Sequence, residues 1–495
     1  MKLKVKDMDI ATGGTLIAIL HQSDAQKLDL HHEDRIKIRF RNKSASAVMD
    51  IAETKKAVKP GCIGLFEEVL DKLNVKHDNT VEIYLEEKPR SVGYIRKKLD
   101  GGRLSKEEIE QIIKDILNNN LSAIEITYFI SAVYTKGFDI EETINLTKEM
   151  VEHGETLKLD KRVVVDKHSS GGVPGNRTTM IIVPIIAAAG LTIPKTSSRA
   201  ISSPAGTADT MEVLAPVSLP VSKMKRVVNK TNACIVWGGA MNLAAADDKM
   251  IKIRHPLSLD PRGMLLASIM AKKQAVNSTH VLVDLPVGKS TKFKTITEAK
   301  SLKKDFIRVG RRLGMKVDVI LTDGKQPIGN GIGPALEARD VLYVLRNDPR
   351  APQDLKEKSL MMAAKMMQMT GHKNCKERAR TILESGKAYE KMKEIIKEQG
   401  GNPKINPDSI KVGEFTYMVK AEKAGKIISV DNKIIAKVAR VAGAPRDRGA
   451  GLYLHKHIGD CVEKGTPLMT IYSESEQKLK YAKEVLKMFD GIEIN

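Results

Sequence analysis

Residues 163–180 read VVVDKHSSGGVPGNRTTM, and no other stretch restricts the fold as tightly. A β-branched run stops at Asp166. A lysine, a histidine, two serines and two adjacent glycines follow at once, and the pair Thr178 and Thr179 opens an apolar segment of helical character. Strand, glycine turn and helix start form, in that order, the local frame that wraps a phosphate. Glycines let backbone N–H groups approach the anion, and a helix start supplies unpaired donors with partial positive charge. Lys167, Ser169 and Thr178 would add a charge and hydroxyl donors. The same letters also suit a plain tight βα turn with a solvated lysine, so both readings stand at this level.

Such a turn calls for a parallel sheet. Between 161 and about 345, strand candidates at 162–165, 234–237, 280–284 and 317–321 alternate with helices that include 261–275 and 297–314. This is α/β ordering, and its functional loops belong at the carboxyl ends of the strands. The chain as a whole divides into a β-rich extension (1–88), a helical domain (93–160), an α/β phosphate- and nucleotide-binding domain with additional helices (161–398) and a C-terminal α+β domain (411–495). In the extension, KLDLHHEDRIKI (27–38) matches KLNVKHDNTVEI (72–83) at a spacing of 45, as in the two halves of a double-psi barrel. In the helical domain, Ser105 with Glu108, Ser122 with Glu125, and Asp139 with Glu142 have the spacing of capping boxes. From about 411 the chain looks strand-like, including GKIISVDNKIIAKVARVAG, and VEKGTPLMTI resembles the turn of a sandwich hammerhead without its attachment lysine. A helix at 475–488 closes the chain.

Composition narrows the function. The 495 residues carry 82 Lys and Arg against 61 Asp and Glu, a net charge of +21. That balance suits anionic partners. The lysines are nevertheless spread along predicted helices such as 291–313 and 385–398 with few aromatics between them, so a solvated surface is expected and a nucleic-acid partner is not. Cys62, Cys234, Cys375 and Cys461 lie far apart, which argues against a disulfide framework or a zinc site. No apolar run reaches the ~18 residues of a membrane span. The N-terminus lacks the apolar core of a signal peptide, so a cytoplasmic location is expected.

Two further segments matter. SSRAISSPAGTADTMEVL (197–214) has one arginine and several hydroxyls ahead of a helical stretch with Asp209 and Glu212, the makings of a second anion loop or of a serine-rich connector. RHPLSLDPRGMLLASIMAKKQA (254–275) places Ser268 and Lys272 one turn apart on a helix, with Pro261 in its first turn and Asp260 as its N-cap. Together the three segments resemble the thymidine/pyrimidine-nucleoside phosphorylase family, whose marks are a KHS(T/S)GG loop, an S-(G/S)-R-(G/A) loop ending in G-T-x-D-x-x-E, and an arginine followed by an (A)SI-x-AKK helix. The resemblance covers roughly 93–495. Pro204, Met211, the extension 1–88 and the Asp-Pro-Arg context of Asp260 depart from the common pattern and look like the archaeal nucleoside-monophosphate branch.

That resemblance implies phosphorolysis of AMP, with CMP and UMP as further substrates, giving free base and ribose 1,5-bisphosphate. Thymidine or uridine phosphorolysis is the alternative. It implies no cofactor and no metal, with inorganic phosphate as co-substrate, and a homodimer or larger assembly that closes a cleft, with the glycine-rich 326–334 as a moving part or a rigid loop. Lys167, His168, Ser169 and Thr178 are implied at the phosphate, with Gly172 and Thr207. Ser198, Arg199, Ala200, Ile201, Ser202 and Ser203 are implied around the nucleotide. Ser268, Lys272 and Lys292 are implied at base or sugar, and Asp260 as the proton donor. An anthranilate-type phosphoribosyltransferase would instead need a magnesium–diphosphate site with paired acids, and no convincing pair stands in the right segment.

Overall fold

The computed structural model describes residues 1–495 apart from Glu87, Ile201, Ser202, residues 242–244, Ser258, Asp490 and the side chain of Met241. The chain forms two compact units, Met1–Glu149 with Ala245–Leu265, and Met150–Ala244 with Leu266–Asn495. No helix among the described residues is long and apolar enough to cross a membrane.

The first unit begins with a closed six-stranded barrel. Its strands are Lys2–Asp7, Ile17–His21, Arg35–Phe40, Lys43–Ala52, Cys62–Leu65 and Thr80–Leu85, arranged first, fifth, second, fourth, third, sixth. Alternate residues such as Leu3, Val5, Ile36, Ile38, Val81 and Ile83 fill the interior. The 45-residue repeat is structural. Ile38 pairs opposite Ile83, and Ile19 opposite Gly64, so residues 45 apart face each other across antiparallel strands. A local two-fold axis passes between them. The short helices Gln22–Lys27 and Glu67–Leu73 obey the same offset.

Helices Arg90–Leu99, Lys106–Leu117, Ala123–Lys136 and Ile140–Glu152 follow. Ser105 with Glu108 and Ser122 with Glu125 form reciprocal capping boxes. Asp139 and Glu142 exchange the same pair of bonds. Glu142 does more than cap. It lies 2% exposed, takes Lys98 Nζ at 2.8 Å and accepts the N–H groups of Leu104 and Asp139, both at 2.9 Å. Lys249, on helix Ala245–Arg254, donates to the carbonyls of Ile116 and Leu117 and to Asn119. One ammonium thereby adds to the backbone caps at the C-terminus of helix Lys106–Leu117 and supplies a partner for the Leu117 carbonyl.

The second unit holds a parallel sheet in the order Ala233–Trp237, Ile193–Ser197, Val165–Ser169, His280–Val287, Lys316–Asp323, with the first two strands joined to the rest through the bridge Val164–Thr192. The strand expected at 162–165 is displaced. It begins at Val165 and runs through Lys167 and His168 to Ser169, because its hydrogen bonds to His280–Val287 outweigh the polar letters. A further strand, Ile193–Ser197, leads into the second hydroxyl-rich segment. Helix Thr178–Ala188 is apolar on all sides and buried, packed against Gln353–Met369 and Lys387–Gln399.

Three expectations are corrected. Residues 432–441 are a helix, capped by Asp431 and burying Ile435, Val438 and Ala439, although their β-branched content suggested strand. The chain closes with strand Ile492–Ile494 after helix Glu476–Met488. Helix Arg262–Gln274 starts one residue later than expected, so Asp260 precedes the cap. The glycine-rich segment 326–334 is stitched in place. Asp340 accepts the N–H groups of Asn330 and Gly331, both at 2.7 Å, and Gly331–Ile332 pairs with Gly451–Leu454.

Glu142→Ala should leave Lys98 as a buried unpaired charge and two N–H groups without acceptors. The expected loss is about 3–5 kcal/mol, measured by denaturant unfolding, and a loss below about 1 kcal/mol would contradict the role given to this pair.

Candidate anion and nucleotide site

Parallel strands deliver the chemistry to one edge. Lys167 is 2% exposed, and its Nζ donates to Thr178 Oγ1 at 2.9 Å and Thr179 Oγ1 at 3.3 Å. Burial pushes its pKa down to about 8, against the opposing pull of Asp284. Burial and the cations Lys273, Lys195, Lys272 and Lys167 hold His168 well below the usual imidazole range, so this ring stays neutral. Ser169 Oγ donates to Asp284 Oδ2 at 3.1 Å and accepts from Asn176 Nδ2 at 3.3 Å. Gly172 sits at φ +88°, where a Cβ would come 3.1 Å from Thr291 Cα and 3.2 Å from the backbone nitrogen of Lys292. Only glycine admits that approach, which lays the Lys292 turn against the phosphate loop while the Lys292 side chain is exposed.

The second loop is tied to the first. Arg177 donates to Thr207 Oγ1 at 3.1 Å and to the carbonyl of Ala205 at 2.6 Å, and pairs with the buried Glu337. Glu337 also accepts from Thr210 at 3.0 Å. Arg199 grips Glu212 with two bonds of 2.8 Å, reaches Asp209 at 3.1 Å and stacks over Trp237. Asp209 accepts the N–H groups of Ala200 and Gly206. The two acids of the G-T-x-D-x-x-E pattern therefore shape the loop through Arg199 and the backbone. Ser198 is exposed, Ser203 donates to the carbonyl of Ala205, and Ile201 and Ser202 lie outside the described residues.

On helix Arg262–Gln274, Lys272 Nζ donates to Ser268 Oγ at 3.3 Å, as their spacing predicts. Asp260 belongs to the first unit, where Arg254 holds its Oδ1 at 2.6 Å.

Several residues of this region escaped the sequence reading. Lys273 is 1% exposed and pairs with Asp166 at 2.7 Å. Lys195 is also buried, with Nζ 3.7 Å from Asp166. Lys358, on helix Gln353–Met369, pairs with Asp284 at 3.2 Å, and Thr322 donates to the same carboxylate at 2.6 Å. Burial alone would raise the pKa of Asp284, but Lys358 and Lys167 hold it below the ordinary carboxylate range. Lys167, Lys195, Lys273 and Lys358 thus surround two buried carboxylates, Asp166 and Asp284. The excess positive charge, the glycine turn and the hydroxyls suit a multiply charged anion.

Comparison with known proteins identifies relatives of the chain. Residues 161–389 match the a/b domain of a glycosyl transferase family, residues 92–154 its helical bundle domain, and residues 426–493 the C-terminal domain of pyrimidine nucleoside phosphorylases. The chain is 46% identical over 485 residues to the AMP phosphorylase of Thermococcus sibiricus, covering 97% of this chain and 95% of that one. It is also 46% identical over 497 residues to the AMP phosphorylase of Pyrococcus furiosus, covering 100% and 98%. Anthranilate phosphoribosyltransferase from Thermus thermophilus superposes with a TM-score of 0.52 at 17% identity over 62% of this chain and 98% of that one, a likeness of fold alone.

The Lys167 ammonium is present below about pH 8 and lost above it. Phosphate affinity, followed by calorimetry from pH 7 to 9.5, should therefore fall as pH rises through about 8. Lys167→Met should abolish that limb and weaken binding about 10- to 100-fold, the worth of one charged hydrogen bond. An unchanged limb in the variant would assign it to another group.

Proposed function

Because the chain belongs to the AMP phosphorylase family, we propose that it cleaves nucleoside 5′-monophosphates with inorganic phosphate, AMP giving adenine and ribose 1,5-bisphosphate, and that CMP and UMP also serve. The observation that carries this reading is the buried excess of lysines beside the phosphate loop, joined through Arg177 to the hydroxyl loop at Thr207. Two linked anion-holding loops suit a reaction with two phosphoryl groups, one on the attacking phosphate and one on the nucleotide.

In this reading Lys167, Ser169, Thr178, Gly172 and Thr207 hold the inorganic phosphate, with neutral His168 as a hydrogen-bonding contact. The residues from Ser198 to Ser203 surround the nucleotide, with Arg199 setting the loop's shape. Ser268, Lys272 and Lys292 contact base or sugar. A phosphate oxygen bonds to the anomeric carbon as the glycosidic C–N bond breaks, and the bonding pair leaves with the base. Asp260, when protonated, gives its carboxyl proton to the departing base and is left as the carboxylate that Arg254 pairs with. The phosphate is itself the nucleophile, so the protein's contribution is placement and charge. Neither a cofactor nor a resident metal enters this scheme. The N-terminal barrel is read as the double-psi type and residues 411–495 as a hammerhead-like domain. A homo-oligomer is supported by Ile124, Tyr128 and Tyr134, exposed on helix Ala123–Lys136.

Free base and sugar phosphate should be followed with AMP, CMP, UMP, thymidine and uridine. Release from the nucleotides is expected. Cleavage of the nucleosides alone would overturn the assignment. Asp260→Asn should lower kcat about 10²- to 10⁴-fold, the range of a general acid, while AMP affinity stays within about threefold.

A further inference from the structure

Asp166 stands one residue before Lys167 and is fully buried. Its Oδ2 accepts Lys273 Nζ at 2.7 Å. Its Oδ1 accepts the N–H of Lys167 at 2.7 Å and faces Lys195 Nζ at 3.7 Å. Each partner belongs to a different segment. Lys167 lies on strand Val165–Ser169, which leads into the glycine turn. Lys195 lies on strand Ile193–Ser197, which runs directly into the hydroxyl loop. Lys273 lies on helix Arg262–Gln274, beside Lys272 and in the turn after Ser268.

We infer that Asp166 is a positioning residue, whose carboxylate fixes the phosphate loop, the nucleotide loop and the Ser268–Lys272 helix in one register. The inference rests on the functional reading above, in which those segments hold the two substrates. Apolar side chains of similar volume often stabilise a core as well as a buried ion pair does. What the charged arrangement adds is direction, because the carboxylate fixes where the Lys273 ammonium and the helix behind it can sit, faces Lys195 on the neighbouring strand and holds the Lys167 N–H with its other oxygen. Displacement at the anomeric carbon needs that register, since a misplacement of about 1 Å can cost 10²-fold in rate.

The test is Asp166→Asn, which keeps the shape and removes the charge. With AMP and phosphate saturating, kcat should fall about 10- to 100-fold, while the Kd of each substrate moves less than about threefold. The double variant Asp166→Asn/Lys273→Met removes both charges of the pair. It should recover the wild-type Tm and still turn over slowly. A kcat within about twofold of wild type in Asp166→Asn, or recovery of wild-type kcat in the double variant, would overturn the inference, the latter by reducing Asp166 to a neutraliser of charge. Should Asp166→Asn fail to fold, Lys273→Met alone breaks the bridge on one side, and wild-type kcat there counts equally against it. Amide exchange probes the bridge without reference to turnover. Residues 193–197 and 262–274 should exchange about tenfold faster in Asp166→Asn with the barrel unchanged, and wild-type protection in both segments would refute the coupling. Wild-type turnover of AMP in the same assay reports separately on the proposed function.

Discussion

An imbalance of buried charge governs the second unit. Lys167, Lys195, Lys273 and Lys358 gather around Asp166 and Asp284 with almost no access to water. Two carboxylates cannot neutralise four ammonium groups, and an uncompensated buried charge costs several kcal/mol after relaxation. The protein meets that cost partly by weakening the hold of Lys167 and Lys195 on their protons, burial lowering their pKa values to about 8 and about 7. A bound phosphate dianion would complete the balance, which is the physical reason for reading this edge of the sheet as an anion site.

The rest of the unit keeps the cluster dry and in register. Parallel strands bring Asp166, Lys167, Lys195 and Asp284 to neighbouring positions, because each strand ends its hydrogen-bonded run on the same side. The buried helix Thr178–Ala188 follows the loop, apolar beyond its first two threonines, whose hydroxyls face Lys167. Residues from the C-terminal part take a share. Arg448 reaches Glu212 at 3.2 Å, the carboxylate that also holds Arg199, so the hydroxyl loop is braced from two directions. The seam at Gly331–Ile332 and Gly451–Leu454 joins the C-terminal strands to the helix that carries Glu337 and Asp340.

The first unit is built on a different principle. Its barrel is two copies of one pattern folded about a local axis, with Ile38 against Ile83 and Ile19 against Gly64. Its helices depend on reciprocal caps and on the buried Lys98–Glu142 pair. Elsewhere the large positive charge is ordinary solvated surface. Helix Ile296–Arg312, for example, buries Ala299, Leu302, Phe306 and Val309 and turns Lys300 and Lys304 to solvent.

Local physics made part of this legible from the letters. Capping boxes are contacts between residues three apart, so Ser105 with Glu108 and Ser122 with Glu125 could be read directly. A glycine turn between a β-branched run and an apolar helix announced a strand–turn–helix frame at 165–188, and a 45-residue echo announced the barrel's symmetry. The helix at 432–441 was obscured because its β-branched residues mimic a strand, although Ile435 and Val438 keep helical spacing. The buried pairing of Lys195, Lys273 and Lys358 was invisible for another reason. In a chain with 82 basic residues, a lone lysine on a helix or strand looks the same whether it faces water or a carboxylate. By itself the sequence determined the capping boxes, the 45-residue repeat, the two hydroxyl-rich segments and the family that they resemble. Only tertiary structure decided which charges are buried together, that residues 245–265 fold with the first unit, and that Asp166 ties three segments to one point. Those facts depend on contacts between separate segments, Asp166 and Lys273 being 107 residues apart, and no local spacing encodes them.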